Sequence, residues 1–552
     1  QLARTIQYVE HRMTPPGAAA ISEATAMAWV AGLADKSSVR ITQTSYDARG
    51  NAVTTTAYGI ASTAGEPLTS EGTSAAHFTY DQAGNLIERH AAGGVSETFV
   101  YDGMGRLTSS VDVHGGTTTI VFNDAATTTT VTTALGYTSV STYNKAGELI
   151  SKADSGANTV GGTDSYQYDA AGRLRMVTDA TGRKSYFYYD KAGRKVAEAN
   201  YLGEITEYRY DAAGRMVASI TYASALGSTA LTAMGNPAST ADFSTLRPTA
   251  NAADVWSWSI YDDAGNLIQA IDNLGGTFVY EYDTENKLAK TTAFFNTLTA
   301  SQLTSFRATL PTSAVLPTAH AKDSVSRVFY NKAGQLIGSL DGEGYLTELT
   351  RDGAGLEIQR ITYSAQTNAA DRATASLGTL KAQVSGSLSS SQIAYSVYDG
   401  QGLLRYTVNV NGGITGLEYD AAGRLTKTTA YANPQALTDF TYDAVKAAIT
   451  TNAADRISWT VYDTAGRAAY TVDAEGGVTA MSYDTQGRVT KVVAFDNTYA
   501  STVSLAALNS WAGNTTQTSD AKNRITHSRY SERGELLYAV DAEGYATRYT
   551  YD

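Results

Sequence analysis

A seven-residue phrase returns along this chain at a fixed interval. It reads Tyr168-Asp169-Ala170-Ala171-Gly172-Arg173-Leu174, then Tyr189-Asp190-Lys191-Ala192-Gly193-Arg194, then Tyr210-Asp211-Ala212-Ala213-Gly214-Arg215-Met216, in steps of 21. Self-similarity at such a period marks a repeat architecture, and that restricts the fold more than any other feature of the sequence. The same Tyr, Asp and Gly recur as Tyr80, Asp81, Gly84; Tyr101, Asp102, Gly105; Tyr261, Asp262, Gly265; Tyr419, Asp420, Gly423; Tyr462, Asp463, Gly466; and Tyr483, Asp484, Gly487.

The chemistry of the phrase is that of a chain reversal. Aspartate bonds its own backbone two residues on, and glycine supplies the positive φ that a tight turn needs. The flanking runs are rich in Tyr, Val, Thr, Phe and Ile, which suit a pleated strand. A second reversal lies 11 to 14 residues after each Tyr: Asp179 to Gly182, Asn200 to Gly203, Asp272 to Gly275, Asp341 to Gly344, Asp473 to Gly476, Asp541 to Gly544. Each unit therefore reads as two short strands and two corners. The expected fold is all-β: antiparallel hairpins in a spiralling or stacked extended sheet.

Composition agrees. The 552 residues include 49 Gly and 37 Tyr but only 8 Pro, as expected for many turns and strands. The net charge of −12 disfavours nucleic acid and anionic membranes as partners. With no cysteine there is neither a disulfide framework nor a thiolate metal site. No apolar run approaches the roughly 18 residues of a membrane span. The chain starts at Gln1 and stops at Tyr551-Asp552 in mid-phrase, as expected of a piece of a longer polypeptide.

Three regions are expected. Residues 1–42 lack the phrase and hold a short helix from Ser22 to Ala34, with Ser22 as candidate N-cap. Residues 43–221 are contiguous repeats, opening at Tyr46-Asp47; the copy at Phe122-Asn123 is degraded, the Thr127-to-Thr133 stretch has lost its turn glycine, and the step from Tyr143 to Tyr168 is enlarged around Gly156 to Gly162. In residues 222–552 the phrases come in pairs (Tyr261 with Tyr282, Tyr330 with Arg351, Tyr398 with Tyr419, Tyr462 with Tyr483, Tyr530 with Tyr551), and pair starts are separated by 69, 68, 64 and 68. Arg351 stands for Tyr, and Asn286 for Gly, in two of these copies.

Between pairs lie inserts with helical spacing at Ser301 to Leu310, Ala444 to Thr450 and Ser504 to Trp511. Tyr442-Asp443 lacks the glycine and leads into such a stretch, so it is a false match. Units with no insert before them place an apolar residue two before the Tyr, as at Phe187 and Tyr280. After an insert the apolar residues shift to the alternate positions: Trp258 with Ile260, Tyr395 with Val397, Trp459 with Val461. Strand side chains alternate faces, so each insert is expected to fold back over that other face and bury Trp258 and Trp459.

Tyr-Asp-x-x-Gly-Arg-Leu at 21-residue steps resembles the RHS/YD-repeat family across roughly residues 43–552, inserts excepted. The resemblance implies a large exported bacterial protein whose β-sheet spirals into a hollow shell, often around a C-terminal toxic domain; animal teneurins share the repeat. Within these 552 residues neither the aspartate-proline-x-glycine segment with which family toxins end the shell nor a non-repeat effector domain is found, and an insert every ~68 residues is atypical of a plain wall. The expected role is a non-catalytic scaffold, a shell wall or extracellular filament, that is secreted or on the cell surface. It would associate with itself or with further repeats of the same chain. The rivals are a capsule around a toxin and an adhesin for glycans or a neighbouring cell.

Candidate chemistry is sparse. Gly103-Gly105, Gly342-Gly344, Gly353-Gly355 and Gly400-Gly402 fall on turns and complete no phosphate loop. The six histidines are scattered; His77 and His90 alone flank one hairpin. The turn aspartates raise calcium as a candidate, but capping explains them and the oxygen spacing of calcium loops is missing, so no cofactor is expected. The repeat tyrosines are expected to ladder along the sheet as its core, each bonding through its hydroxyl.

Overall fold

The computed structural model describes residues 4–8, 23–34, 36, 39–90, 96–156, 161–239, 241–353, 355–400, 402–420, 422–531 and 534–550. They form one 36-stranded sheet in which every strand pairs antiparallel with its neighbour in sequence. Most strands are five to seven residues long, as at Leu174–Thr178, Lys184–Tyr189 and Lys195–Ala199. The chain is a ribbon of hairpins with one row of corners along each edge.

The first corner of each unit is the Tyr-Asp-x-x-Gly phrase. Register slips there by one residue: Gln167 pairs with Met176, but Tyr168 pairs with Leu174. This is a type I turn followed by a left-handed glycine in a bulge, a hairpin closure that adds right-handed twist. Gly84, Gly105, Gly172, Gly193, Gly214, Gly265, Gly423, Gly466 and Gly487 all have φ between 74° and 92°. Asn286 takes the same conformation at 65° in place of glycine. In the degraded copy Thr127 adopts φ 52°, and Gly136 still closes the second corner there.

The ribbon winds back onto itself. The second corner at Asp112–Gly115 lies against the first corner at Asp463–Gly466, where a β-carbon on Gly466 would touch the His114 ring. The corner beginning at Thr133 meets the one at Asp484: the Tyr137 phenol lies beside the Gln486 side chain. Further along, Lys152, Asp154, Asp164 and Arg183 face Glu535, Tyr538 and Arg548. Partners lie 351 residues apart at the first two contacts, and 23 strands separate them. At ~4.8 Å per strand one winding is roughly 110 Å around and about 35 Å across.

Among the described residues six helices of seven residues or more decorate the sheet: α1 (Glu23–Ala31), α2 (Ser228–Gly235), α3 (Ala300–Ala308), α4 (Leu377–Val384), α5 (Tyr442–Ala448) and α6 (Leu505–Ala512). Ser22, expected to cap α1, lies outside the described residues, as do Tyr551 and Asp552. The three helices expected in the inserts appear as α3, α5 and α6, each displaced by one or two residues. Tyr442 opens α5, in keeping with its reading as a false match. Caps explain two starts: Thr299 and Gln302 form a reciprocal capping box, and the Ser504 hydroxyl accepts the Ala507 amide.

Helices α2 to α6 cover one face of the sheet and make its core there. Leu303 and Phe306 of α3 pack with Trp258, Ile260 and Ile271; Leu380 and Val384 of α4 with Leu340, Leu346 and Tyr363; Val445 of α5 with Val397, Val408 and Ile414; Leu508 of α6 with Tyr470, Val472 and Val478. Trp258 is 1% exposed and meets Phe306 edge-on, while Trp459 is half-buried beside Leu508 and Trp511. The inserts thus do fold over that face. One detail differs from expectation. In the Tyr189 unit, which no insert precedes, the buried residues are Tyr186 and Tyr188 and not Phe187, because the first insert reaches back over it with Leu231, Met234 and Phe243.

Each insert begins with the same tether. The amide 23 residues after a second-corner glycine donates to that glycine's carbonyl: Leu226 to Gly203, Leu298 to Gly275, Thr367 to Gly344, Gln435 to Gly412 and Tyr499 to Gly476, at 2.7–3.0 Å. The insert then closes on a polar residue just before the next strand. Asp254, Asp323 and Asp455 each accept the amide that opens their insert and a second one near its end.

The tether separates two kinds of second-corner glycine. An added β-carbon on Gly203 would sit 2.3 Å from the Leu226 carbonyl oxygen, whereas on Gly182 it would meet nothing within 4 Å. Gly182→Ala is expected to cost about 1–2 kcal/mol of left-handed strain, and Gly203→Ala about 1–3 kcal/mol more from overlap. Urea denaturation of the two variants measures the difference; equal losses would show that the tether does not bear on stability.

Candidate functional site: the corner ladder

The repeated residues meet along one edge of the ribbon, and each corner is closed by its aspartate. Asp169 Oδ1 accepts the Ala171 and Arg173 amides, while Oδ2 accepts Arg173 Nε at 2.8 Å. Asp102, Asp190, Asp211, Asp420, Asp463 and Asp484 hold Arg106, Arg194, Arg215, Arg424, Arg467 and Arg488 in the same way. Where asparagine stands instead, its amide reaches the same oxygen, as Asn85 does on Asp81 and Asn266 on Asp262. Both carboxylate oxygens are therefore occupied within the turn.

The arginine then joins one corner to the next. Arg173, Arg194, Arg215, Arg467 and Arg488 each donate Nη1 to the carbonyl of the residue that opens the following corner: Asp190, Asp211, Asp262, Asp484 and Ser531. Their guanidinium planes lie 4.5–5.3 Å from the centroids of Tyr189, Tyr210, Tyr261, Tyr483 and Tyr530. The tyrosine completes the step: Tyr210, Tyr419 and Tyr483 donate their hydroxyls to the carbonyls of Lys195, Leu404 and Ala468, 15 residues back. Across an insert Tyr261 and Tyr462 reach Met216 and Leu425 in the same way. Arg351 explains its own substitution, since its Nε bonds the Leu336 carbonyl, again 15 residues back.

The ladder corrects one expectation. Tyr80, Tyr101, Tyr168, Tyr189, Tyr210, Tyr261, Tyr419, Tyr462 and Tyr483 are all half-buried, and the deep core belongs to the alternate positions under the inserts. At the ribbon edge such a tyrosine keeps its ring against the arginine of the preceding unit.

Electrostatics follow from the same bonds. Burial would raise the Asp169, Asp190, Asp420 and Asp463 carboxyls, yet the amide and guanidinium of the arginine four residues on hold them below the usual aspartate range. The Asn85 side chain does the same for Asp81. Burial pushes the Tyr168, Tyr189, Tyr210, Tyr419 and Tyr483 phenols up.

Other candidate sites resolve into structure. His77 does pair opposite His90, but His77 Nδ1 meets the Thr54 hydroxyl and His90 Nε2 meets Glu88. Among the described residues no three His, Asp or Glu side chains group as a metal set. A cleft of about 930 Å³ lies between the Arg173–Arg194 ladder and the first insert. Its charges are paired: Glu207 holds Arg209, Arg247 and the Tyr222 hydroxyl, and Arg175 stacks on Tyr188 while donating to the Met234 and Ser239 carbonyls. Among the described residues no helix is long and apolar enough to cross a membrane. The sequence reading missed α2, α4 and the insert tether; the constant 23-residue spacing from a corner glycine is the signal that would have found the tether.

The ladder generates two measurable expectations. Arg194→Gln loses an ion pair, a carbonyl bond and a cation–π contact, and should cost about 1–2 kcal/mol in urea denaturation. Arg194→Lys should recover little of it, because a single ammonium does not reach all three partners. The Asp81, Asp169, Asp190, Asp420 and Asp463 carboxyls titrate lower when folded than when unfolded, where aspartate sits near about 3.9. Their stabilisation is therefore complete above that value and is lost as pH falls through the folded values. Melting temperature should hold down to about pH 5 and drop below about pH 4, and Asp190→Asn should blunt the drop.

Residues 69–117, 143–184, 189–227 and 398–436 match the RHS repeat family. No curated protein sequence matches the chain. Solved structures share its fold. A Tc holotoxin pore from Photorhabdus luminescens superposes with a TM-score of 0.56 at 13% identity, covering 92% of this chain and 26% of that one. TcdB2-TccC3 without its hypervariable C-terminal region gives 0.55 at 13%, over 93% and 26%. This chain thus spans about a quarter of the length of the chains it resembles. With the Asp–Gly corner recurring along the whole ribbon, the chain carries RHS repeats at four separate stretches.

Proposed function

We propose that this chain is a stretch of wall in a hollow RHS shell, a scaffold that does mechanical work and no chemistry. The observation that carries the reading is the return of the ribbon onto itself, corner edge to corner edge, after 351 residues. A winding about 35 Å across encloses space, whereas an open stack of hairpins has no reason to meet its own earlier edge. The paired Glu207 and Arg175 of the cleft beside the first insert and the occupied turn carboxylates support a wall that needs no cofactor. An exported or cell-surface setting fits the family resemblance.

A capsule around a polypeptide cargo is the more specific form of this reading, favoured by the likeness to the Tc holotoxin and TcdB2-TccC3 structures. Its partners would be other proteins of a toxin assembly. The adhesin reading loses support, because the repeat tyrosines are half-buried, bonded through their hydroxyls and faced by arginines, which leaves no row of bare rings for sugars.

Electron microscopy of the purified chain tests the proposal. Compact particles with a central void and one size at all concentrations are the expected result. Filaments that lengthen with concentration would overturn the shell in favour of a fibre.

A further inference from the structure

The joints within this wall are unequal. Along the ribbon each strand is hydrogen-bonded to the next, and among the described residues no strand pairs across the seam between windings. At the seam corner side chains meet: the His114 ring lies against Gly466, and the Tyr137 phenol lies beside the Gln486 side chain. His114 Nδ1 and Thr485 Oγ1 are buried there without a protein partner. A cavity of about 410 Å³ separates Lys152, Asp164 and Arg183 of the first winding from Glu535, Tyr538 and Arg548 of the second. Buried polar atoms without partners and unfilled volume both mark a weakly held joint. Such joints open at lower free energy than a continuous hydrogen-bonded ladder.

We propose that the seam from Asp112 to Arg183 is a slip line, along which the windings part and the shell loosens while every strand pairing stays intact. The inference rests on the shell reading and adds to it how the wall yields. Opening the seam breaks corner contacts only, so enclosed volume changes without unfolding, as a coil spring widens. The His114–Gly466 and Tyr137–Gln486 contacts are the catches that set the closed register.

The chain has no cysteine, so a pair can be placed cleanly. Tyr137→Cys with Gln486→Cys, joined by a short bis-maleimide, ties the windings together. Small-angle scattering and circular dichroism are followed together through a urea series, with the unreacted double variant as control. Before cross-linking, the radius of gyration should rise at urea concentrations where the β signal is still complete. After cross-linking, that early swelling should vanish while the midpoint of β-signal loss stays in place. His114→Ala without a cross-link should bring the swelling to lower urea. Swelling that coincides with β-signal loss in the control, or that survives the cross-link, would overturn the slip line and leave the shell standing. Failure of the two cysteines to cross-link in the native protein would overturn the seam, and the shell reading with it.

Discussion

Everything in this structure depends on how one aspartate closes one corner. Its Oδ1 gathers two backbone amides, its Oδ2 takes the side chain four residues on, and a left-handed glycine turns the chain back. The amides at a hairpin tip have no strand partner, so a buried or half-buried tip needs such an acceptor. Because the closing residue is arginine in so many units, the corner also reaches forward to the next carbonyl and the next tyrosine ring. Local turn chemistry thereby becomes a continuous edge, each unit weakly stabilising its neighbour in the manner of one-dimensional repeat arrays.

The inserts solve a different problem. A sheet this long has two faces, and the short side chains of the strands cannot shield both. Each insert leaves the ribbon where a second corner would fall, is tethered to the glycine of the second corner before it, and lays a short helix on the sheet. Helices of eight or nine residues are marginal alone in water. Here Leu380, Val445 and Leu508 anchor them, each fully buried against strand residues of the unit beneath. The decoration is therefore part of the core and not an accessory to it.

Much of this was legible in the residues. The strands, both corners, the substitutions at Arg351 and Asn286 and the false match at Tyr442 follow from turn chemistry and alternation, which act over a few residues. Three insert helices were visible from apolar spacing, whereas α2 and α4 were not: Ser228–Gly235 and Leu377–Val384 are eight residues long, each includes Thr and Gly, and docking stabilises helices this short. The placing of the repeat tyrosines in the deep core failed for a related reason. Ring size suggests burial, but the edge position and the arginine over each ring are properties of neighbouring hairpins.

The sequence by itself determined the ribbon: where the chain turns, which residues close each turn, and that hairpin follows hairpin, since all of these are settled within about 21 residues. Only the tertiary structure decided that the ribbon winds into a coil and that His114 comes to rest against Gly466. Curvature is the sum of small twists over 23 strands, and no local pattern records a sum. The corners that meet at the seam begin 351 positions apart, and they are neighbours because of every corner between them.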